Sequence, residues 1–160
     1  MAAKENIVSA FRDLVLSRRY DDFTVNEVID HSGVARSTFY QHFKSKNDLL
    51  IQSMDPILDV LGDLVRRQTK PVELDEVLQH IWENRQLGRV FFEPPLNDRL
   101  ADGLIDKVKR TGSQDVFCIA GLLAVLRQWV NGRLSLTPSE LGLQLETLVC
   151  GLRVKEPFDT

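Results

Sequence analysis

The stretch TVNEVIDHSGVARSTFYQHFKSKNDLL, residues 24–50, decides the fold, because its pattern predicts two short amphipathic helices around a glycine turn. Thr24 and Glu27 have the spacing of a capping box, in which the threonine hydroxyl accepts from the Glu27 amide and the Glu27 carboxylate accepts from the Thr24 amide. A helix is therefore expected to begin at Thr24. Gly33 follows it, and glycine adopts at little steric cost the positive φ that ends a helix.

The second helix of this pair carries an anchored face and a polar face. Val34, Phe39 and Phe43 are spaced to pack on a core. Two helices joined by a short glycine-containing turn form the helix-turn-helix motif, whose second helix enters the major groove of DNA. The side chains expected to point outward from that helix are Arg36, Ser37, Thr38, Tyr40, Gln41 and His42.

The charge pattern favours DNA over a merely solvated helix face. Residues 31–47 hold Arg36, Lys44 and Lys46 but no Asp or Glu, so phosphates meet no repulsion there. The whole chain has a formal net charge of -3, which confines the positive potential to this stretch and argues against indiscriminate coating of nucleic acid. A plain surface helix is the alternative, and the capping box, turn and interleaved aromatic residues favour the DNA interpretation.

The segments FTVNEVIDHSGV and STFYQHFKSKNDLL, between Phe23 and Leu50, resemble the amino-terminal DNA-binding domain of the TetR family of bacterial transcriptional regulators. The carboxy-terminal two thirds resembles the family only weakly. By position, the resemblance implies phosphate contacts near Thr24, Tyr40, His42 and Lys46, and contacts to base edges from Arg36, Ser37, Thr38 and Gln41. Ala35 departs from the family pattern, where a Ser or Thr often caps the recognition helix; the missing cap costs roughly 1 kcal/mol of helix stability.

The 160 residues suffice for an all-α chain with a three-helix DNA-binding head at residues 1–50 and a small helical body at residues 51–160, for ligand binding and dimerisation. About nine helices are expected. Pro56 predicts a kink or a restart, so we expect a mechanical joint near residues 54–57. The helices predicted outside the motif cover residues 3–19, a segment from Ser45 that Lys70 and Pro71 end, 74–84, 87–92, 96–109 and 113–131, and a last helix from the Thr137 to Glu140 capping box.

Several classes of protein are not expected. No leader and no apolar run approaching the ~20 residues of a membrane span is evident, so a cytoplasmic protein without membrane contact is predicted. Cys118 and Cys150 are far apart among apolar residues, which favours reduced thiols over a redox switch. His31, His42 and His80 lack metal-ligand spacing. We expect no metal, no cofactor and no enzymatic activity.

The segment 113–131 has two apolar stripes, and a helix with two apolar faces needs two partners. One stripe is expected to pack on the body and the other, with the last helix, on a second copy in a four-helix bundle across a twofold axis. The alternative is that both stripes are internal core. The residues predicted at the dimer interface are Leu122, Val125, Trp129, Leu141, Leu145, Leu148 and Leu152.

A regulator of this type is expected to sense a small-molecule effector. Aromatic residues with a few polar groups line most ligand pockets, although aromatic residues at helical spacing also form plain core. The candidate pocket residues are His80, Trp82, Arg85, Phe91, Phe92, Phe117 and Gln128. The resulting expectation is a homodimeric repressor that binds a palindromic operator in double-stranded DNA and is released by a ligand. The alternative is an adaptor of the same fold that contacts proteins and no longer binds DNA.

Overall fold

The computed structural model describes residues 2–109 and 112–151, and all regular structure within them is helical, as the sequence predicts. No helix in these ranges is long and apolar enough to cross a membrane. A short 3-10 turn at Tyr20–Asp22 accompanies nine α-helices in the described ranges: α1 Ala2–Ser17, α2 Val25–Ser32, α3 Arg36–His42, α4 Lys46–Arg66, α5 Pro71–Glu83, α6 Arg85–Phe91, α7 Leu96–Val108, α8 Ser113–Val130 and α9 Pro138–Gly151.

The helix starts are set by local hydrogen bonds. The capping box predicted at the start of α2 is present: Glu27 N donates to Thr24 Oγ1 at 3.3 Å, and Thr24 N donates to Glu27 Oε2 at 2.8 Å. The same pair of bonds joins Thr137 and Glu140 before α9. Ser45 caps α4 by accepting from Asp48 N at 3.0 Å. These bonds satisfy amides that a helix leaves without internal partners.

The first three helices close around an aromatic cluster. Phe11 of α1 lies 6.1 Å from Phe23 and 6.3 Å from Tyr20, measured between ring centres, and all three side chains are buried. Phe23 stands directly before the cap of α2, so α1 packs where α2 begins. Edge-to-face rings at this spacing hold α1 against the helix-turn-helix.

Helix α4 corrects the prediction of a restart at Pro56. It runs without interruption from Lys46 to Arg66, with Pro56 inside it on the exposed side. Buried Leu58 lies on the opposite side, against Gly103 of α7, and the packing of α4 on α7 keeps the helix continuous across the proline, which removes one backbone hydrogen bond. Helix α4 also crosses the boundary expected after residue 50, so it belongs to both the expected head and the expected body.

Helices α8 and α9 complete the body. Their packing corrects the prediction of which side chains face a second copy. Leu122, Trp129, Leu141 and Leu145 are buried within the single chain, because α9 packs on α5 and α8 packs on α6 and α7. Trp129 is 0% exposed and its Nε1 donates to Leu136 O at 2.8 Å. These four side chains are therefore core and are not accessible to a second copy.

The remaining predicted interface residues differ in exposure. Val125 is half-buried, Leu148 is 53% exposed and Leu152 lies outside the described residues. Gly142 explains how closely α9 approaches α5, since a Cβ at this position would stand 3.0 Å from Asp75 Oδ1 and 3.4 Å from Leu78 Cδ1.

Candidate nucleic-acid interface

The turn between α2 and α3 has the geometry that the sequence predicts. Gly33 adopts a φ of 67°, a left-handed conformation, and its amide donates to Ile29 O and Asp30 O, which ends α2. Ala35 occupies the cap of α3 in an extended conformation and, as expected, makes no side-chain cap bond. Val34 packs against the core between them.

Helix α3 presents a polar surface because one side of it is anchored. Phe39 and Phe43 are buried with ring centres 5.8 Å apart, and they hold the helix on the head. The predicted outward side chains of Arg36, Ser37, Tyr40 and Gln41 are exposed, whereas those of Thr38 and His42 are half-buried. Of the six, therefore, four lie in solvent on the helix that would enter a major groove.

Arg36 is held by two neighbours, one on α2 and one on α3 itself. Its Nη1 donates to Asn26 Oδ1 of α2 at 2.8 Å, and its guanidinium carbon stands 5.6 Å from the centre of the Tyr40 ring. Both contacts lie at the exposed surface, and Arg36 has no carboxylate partner within the described residues. The arginine is oriented along the helix with its charge uncompensated.

Lys46 has a different position from the one expected of a phosphate contact. Its Nζ donates to Tyr20 O and to Phe23 O, both at 2.6 Å, and lies 4.2 Å and 4.6 Å from the centres of those two rings. Burial lowers the pKa of Lys46 from its ordinary value. The ammonium thus ties the start of α4 to the segment before α2, and a phosphate role for it stays a prediction.

Lys44 is a cation that the site prediction left out. Its side chain is exposed in the loop between α3 and α4, and its backbone amide donates to Asp48 Oδ2 at 2.8 Å. Asp48 also accepts from Gln52 Nε2, so this carboxylate is occupied by neutral donors. The signal was present in the sequence, since Lys44 belongs to the same acid-free stretch as Arg36.

Thr24, another predicted phosphate contact, has its hydroxyl within the capping box, where Oγ1 lies 3.1 Å from Glu27 Oε2. Glu27 also accepts from Arg18 Nη1 at 2.6 Å. The Arg18 guanidinium and the two bonds from Thr24 lower the pKa of Glu27 to about 2. Arg18 therefore offsets the negative charge of Glu27 at the start of α2, which weakens the repulsion between this carboxylate and a phosphate.

The predicted pocket residues separate into different places. A cleft between α1, α4, α5 and α6 has an interior cavity of about 70 Å³, and about 570 Å³ of empty space when its open mouth is counted. Three of the predicted residues, His80, Phe91 and Phe92, line this cleft, and their role in binding a ligand stays a prediction. The other lining residues were missed: Val8, Phe11, Arg12, Ser53, Met54, Ile57, Ile81, Asn84, Leu87 and Gly88.

The other four candidates lie outside this cleft. Trp82 stacks on Trp129 with ring centres 5.0 Å apart, and Arg85 lies over the Trp82 ring. Phe117 is 65% exposed on the outer side of α8, and Gln128 accepts from Arg133 at its Oε1. Nothing in the sequence pattern signalled the contribution of α1, because its apolar stripe is accounted for by packing in the head.

Within residues 2–109 and 112–151, no three His, Cys, Asp or Glu side chains lie close enough together to hold a metal ion. Cys118 is buried and Cys150 is exposed, and neither forms a disulfide in the described part of the chain.

Residues 7–52 match the family model described as "Bacterial regulatory proteins, tetR family". The matched range contains α2, the Gly33 turn, α3 and the first residues of α4. The interface described above therefore coincides with the part of the chain that carries the family pattern.

Two curated proteins are similar to the chain over its amino-terminal half or slightly more. An uncharacterized HTH-type transcriptional regulator, YwcC, of Bacillus subtilis (strain 168) is 29% identical over 89 residues, which cover 51% of this chain and 40% of that protein. An uncharacterized HTH-type transcriptional regulator of Lactococcus lactis subsp. lactis is 22% identical over 101 residues, covering 59% and 52%. The chain spans about half the length of the curated relatives it matches.

Solved structures extend the likeness to the whole fold. A TetR transcriptional regulator from Streptococcus agalactiae 2603V is 25% identical with a TM-score of 0.60, covering 92% of this chain and 93% of that one. The dihydroxyacetone kinase operon activator DhaS, 20% identical with a TM-score of 0.54, covers 93% and 94%. The second likeness concerns the fold alone.

Proposed function

We propose, on the premise that this chain belongs to the tetR family of bacterial regulatory proteins, that it is a homodimeric transcriptional repressor released from a palindromic operator by a small-molecule ligand. The observation that carries the proposal is the surface of α3. Arg36 stands exposed at its start without a carboxylate partner among the described residues, and Ser37, Tyr40 and Gln41 share the exposed face.

The polar face of α3 suits base edges, and its surroundings suit phosphates. An arginine donates two parallel hydrogen bonds to guanine, and a glutamine donates one hydrogen bond to adenine N7 and accepts one from the adenine N6 amine, so Arg36 and Gln41 supply sequence discrimination. Ser37 and Thr38 contact flanking positions. Tyr40, His42 and Lys44, with Thr24 at the edge, position the head on the backbone, since contacts to phosphates set orientation and carry no sequence information.

A second copy is needed because one short helix contacts few base pairs. Two heads related by a twofold axis place their recognition helices in successive major grooves about 34 Å apart. The large apolar side chains that α8 and α9 leave available to a partner are Phe117, which is 65% exposed, Leu143, 68%, and Leu148, 53%.

Release follows from the requirement that both heads fit at the same time. A ligand that binds in the body and favours another orientation of α4 changes the separation of the two heads, and a small displacement weakens binding to both half-sites. Because α4 is one helix from Lys46 to Arg66, a movement of its body portion is transmitted directly to the head.

The test is selection of bound fragments from a pool of genomic DNA, followed by affinity measurements for the selected sites. Arg36→Ala is expected to relax base preference and to cost roughly 1 to 3 kcal/mol at its preferred site. Arg133→Ala is the matched control, because Arg133 is exposed in the loop after α8, distant in sequence from the head.

Two results would contradict the proposal. Equal losses for Arg36→Ala on every DNA sequence would remove its role in base recognition. No salt-dependent retention of any fragment at low ionic strength would favour the adaptor that works through protein contacts, because phosphate binding always depends on salt.

A further inference from the structure

The cleft between head and body is bounded by elements of both. Val8, Phe11 and Arg12 come from α1, Ser53 and Ile57 come from α4, and the opposite wall belongs to α5 and α6. Its interior is apolar, with buried side chains from Phe11, Met54, Ile81, Phe91 and Phe92. A concave apolar site with a few polar groups at its rim is the usual form of a small-molecule site.

The rim carries positive charge without a compensating carboxylate. Among the residues lining the cleft, Arg12 and His80 are the groups that can hold positive charge, and none is Asp or Glu. Arg12 is exposed and makes no ion pair with any described residue. Asn84 and Ser53 add neutral polar groups to the same rim.

The surface beside the mouth continues this charge. Arg12 also borders a shallow depression together with Arg85, Arg89 and one carboxylate, that of Glu83. Glu83 accepts from Gln79 Nε2 at 2.8 Å, and Arg89 donates through its Nε to Val130 O. Lys4 and Glu5 border Arg12 on its other side and offset each other, so three arginines against Glu83 leave the mouth positive, and a positive entrance attracts anions.

We propose that this cleft binds a small apolar molecule that ends in an anionic group, with the apolar part among Phe11, Ile57 and Phe91 and the anion at Arg12. A carboxylate suits the arginine, because the guanidinium fork donates two parallel hydrogen bonds to it. The occupant is a medium-chain carboxylic acid or an aryl acid of similar size, whose apolar end fills the interior of about 70 Å³ while the rest lies in the open mouth of the cleft. That such binding releases DNA rests on the proposed function; the binding itself does not.

The position of the cleft connects the ligand to the helix-turn-helix. Phe11 forms one wall and also packs edge-to-face on Phe23, which stands directly before the cap of α2. The α1 helix contacts α6 of the body across the same junction. A molecule wedged here separates α1 from α6, and the displacement reaches α2 through Phe11 and Phe23.

The test is calorimetric titration of the protein without DNA, using hexanoate, octanoate and decanoate as probes. Octanol and octylamine are the matched neutral and cationic molecules. The carboxylates are expected to bind, octanol to bind at least about tenfold more weakly, and octylamine not to bind, because a charged hydrogen bond is lost and then replaced by repulsion. Equal affinity for octanol and octanoate would overturn the assignment of the anion to Arg12.

Two variants locate the site. Arg12→Gln is expected to weaken octanoate at least about tenfold while leaving octanol unchanged, with Arg133→Gln as the control. Ile57→Trp fills the cleft from its half-buried wall and is expected to abolish binding of both molecules, with helicity checked by circular dichroism. Wild-type affinity in either cleft variant would place the ligand elsewhere and overturn the proposal.

The DNA experiment separates this proposal from the previous one. Saturating octanoate is expected to lower affinity for the selected operator in the wild type and not in Arg12→Gln. If octanoate binds as described and no DNA is ever bound, the ligand site stands and the repressor fails. If DNA is bound and no probe binds, the repressor stands and the cleft proposal fails.

Discussion

Lys44 and Lys46 lie two positions apart, but the surroundings of their side chains differ. The Lys46 ammonium is bonded to Tyr20 O and Phe23 O, whereas the Lys44 side chain is exposed in the loop before α4. A charge that is hydrogen-bonded inside a protein leaves its partners unsatisfied when it is removed, and an exposed charge does not. The two lysines are therefore expected to differ in what their removal changes.

We predict that Lys46→Ala lowers the free energy of unfolding by about 1 to 3 kcal/mol, since two carbonyls lose a charged donor. Lys44→Ala is expected to leave stability unchanged and to reduce the slope of log affinity for DNA against log salt by about one. Urea unfolding and salt titrations of DNA binding measure both quantities. If Lys46→Ala instead leaves stability unaltered and reduces the salt slope, the prediction is wrong and Lys46 contacts a phosphate.

At the scale of elements, the start of α2 depends on one carboxylate. Glu27 accepts from the Thr24 amide and from Arg18, and these bonds lower its pKa to about 2 from an ordinary value of 4.5. A lowered folded-state pKa stabilises the fold above the unfolded value, and this contribution is lost as pH falls through the folded value. This stabilisation is therefore lost as the pH falls from about 4.5 to about 2.

We predict that the stability of the wild type falls across this window and that Glu27→Gln is less stable at neutral pH with a flatter profile between the two values. Denaturant unfolding at a series of pH values measures this difference. Glu76→Gln, on the exposed surface of α5, is the control. Parallel profiles for the wild type and Glu27→Gln would show that the capping carboxylate contributes no pH dependence.

At the scale of the whole molecule, packing within the chain decides which side chains of α8 and α9 remain exposed. Trp129 stacks on Trp82 inside the chain, and Phe117, Leu143 and Leu148 remain exposed. The helices predicted for the dimer stay the candidates, but four of the predicted side chains are buried, Val125 is half-buried, Leu148 is exposed and Leu152 lies outside the described residues. A substitution at Trp129 would therefore report on folding and not on assembly.

We predict that Phe117→Glu and Leu143→Glu produce monomers with unaltered helicity, because each replaces an exposed apolar side chain proposed for the subunit interface with a charge. Sedimentation velocity measures the change, and Val72→Glu is the control, since Val72 is equally exposed on α5 at 66%. Dimers that persist in both variants would place the subunit interface on another surface.

Features set by neighbours in sequence were predictable. The Thr24 and Thr137 capping boxes, the Ser45 cap, the left-handed Gly33 and the uncapped Ala35 all depend on groups within about four positions, so local hydrogen bonding decides them. The helix-turn-helix and the limits of nearly every helix follow from such signals together with apolar spacing. The acid-free stretch around α3 is likewise a property of the sequence itself.

Other features required the tertiary structure. An apolar stripe indicates that a helix face is covered, but not whether α5, α7 or a second copy covers it. For this reason the sequence pattern predicts Trp129 and Leu141 at the dimer interface, whereas both are buried in the core of the single chain. The continuity of α4 past Pro56 depends on packing against α7, the bonds of Lys46 depend on carbonyls more than twenty positions away, and the cleft at Arg12 depends on how α1 meets α6. Each results from contacts between distant residues, which no local pattern encodes.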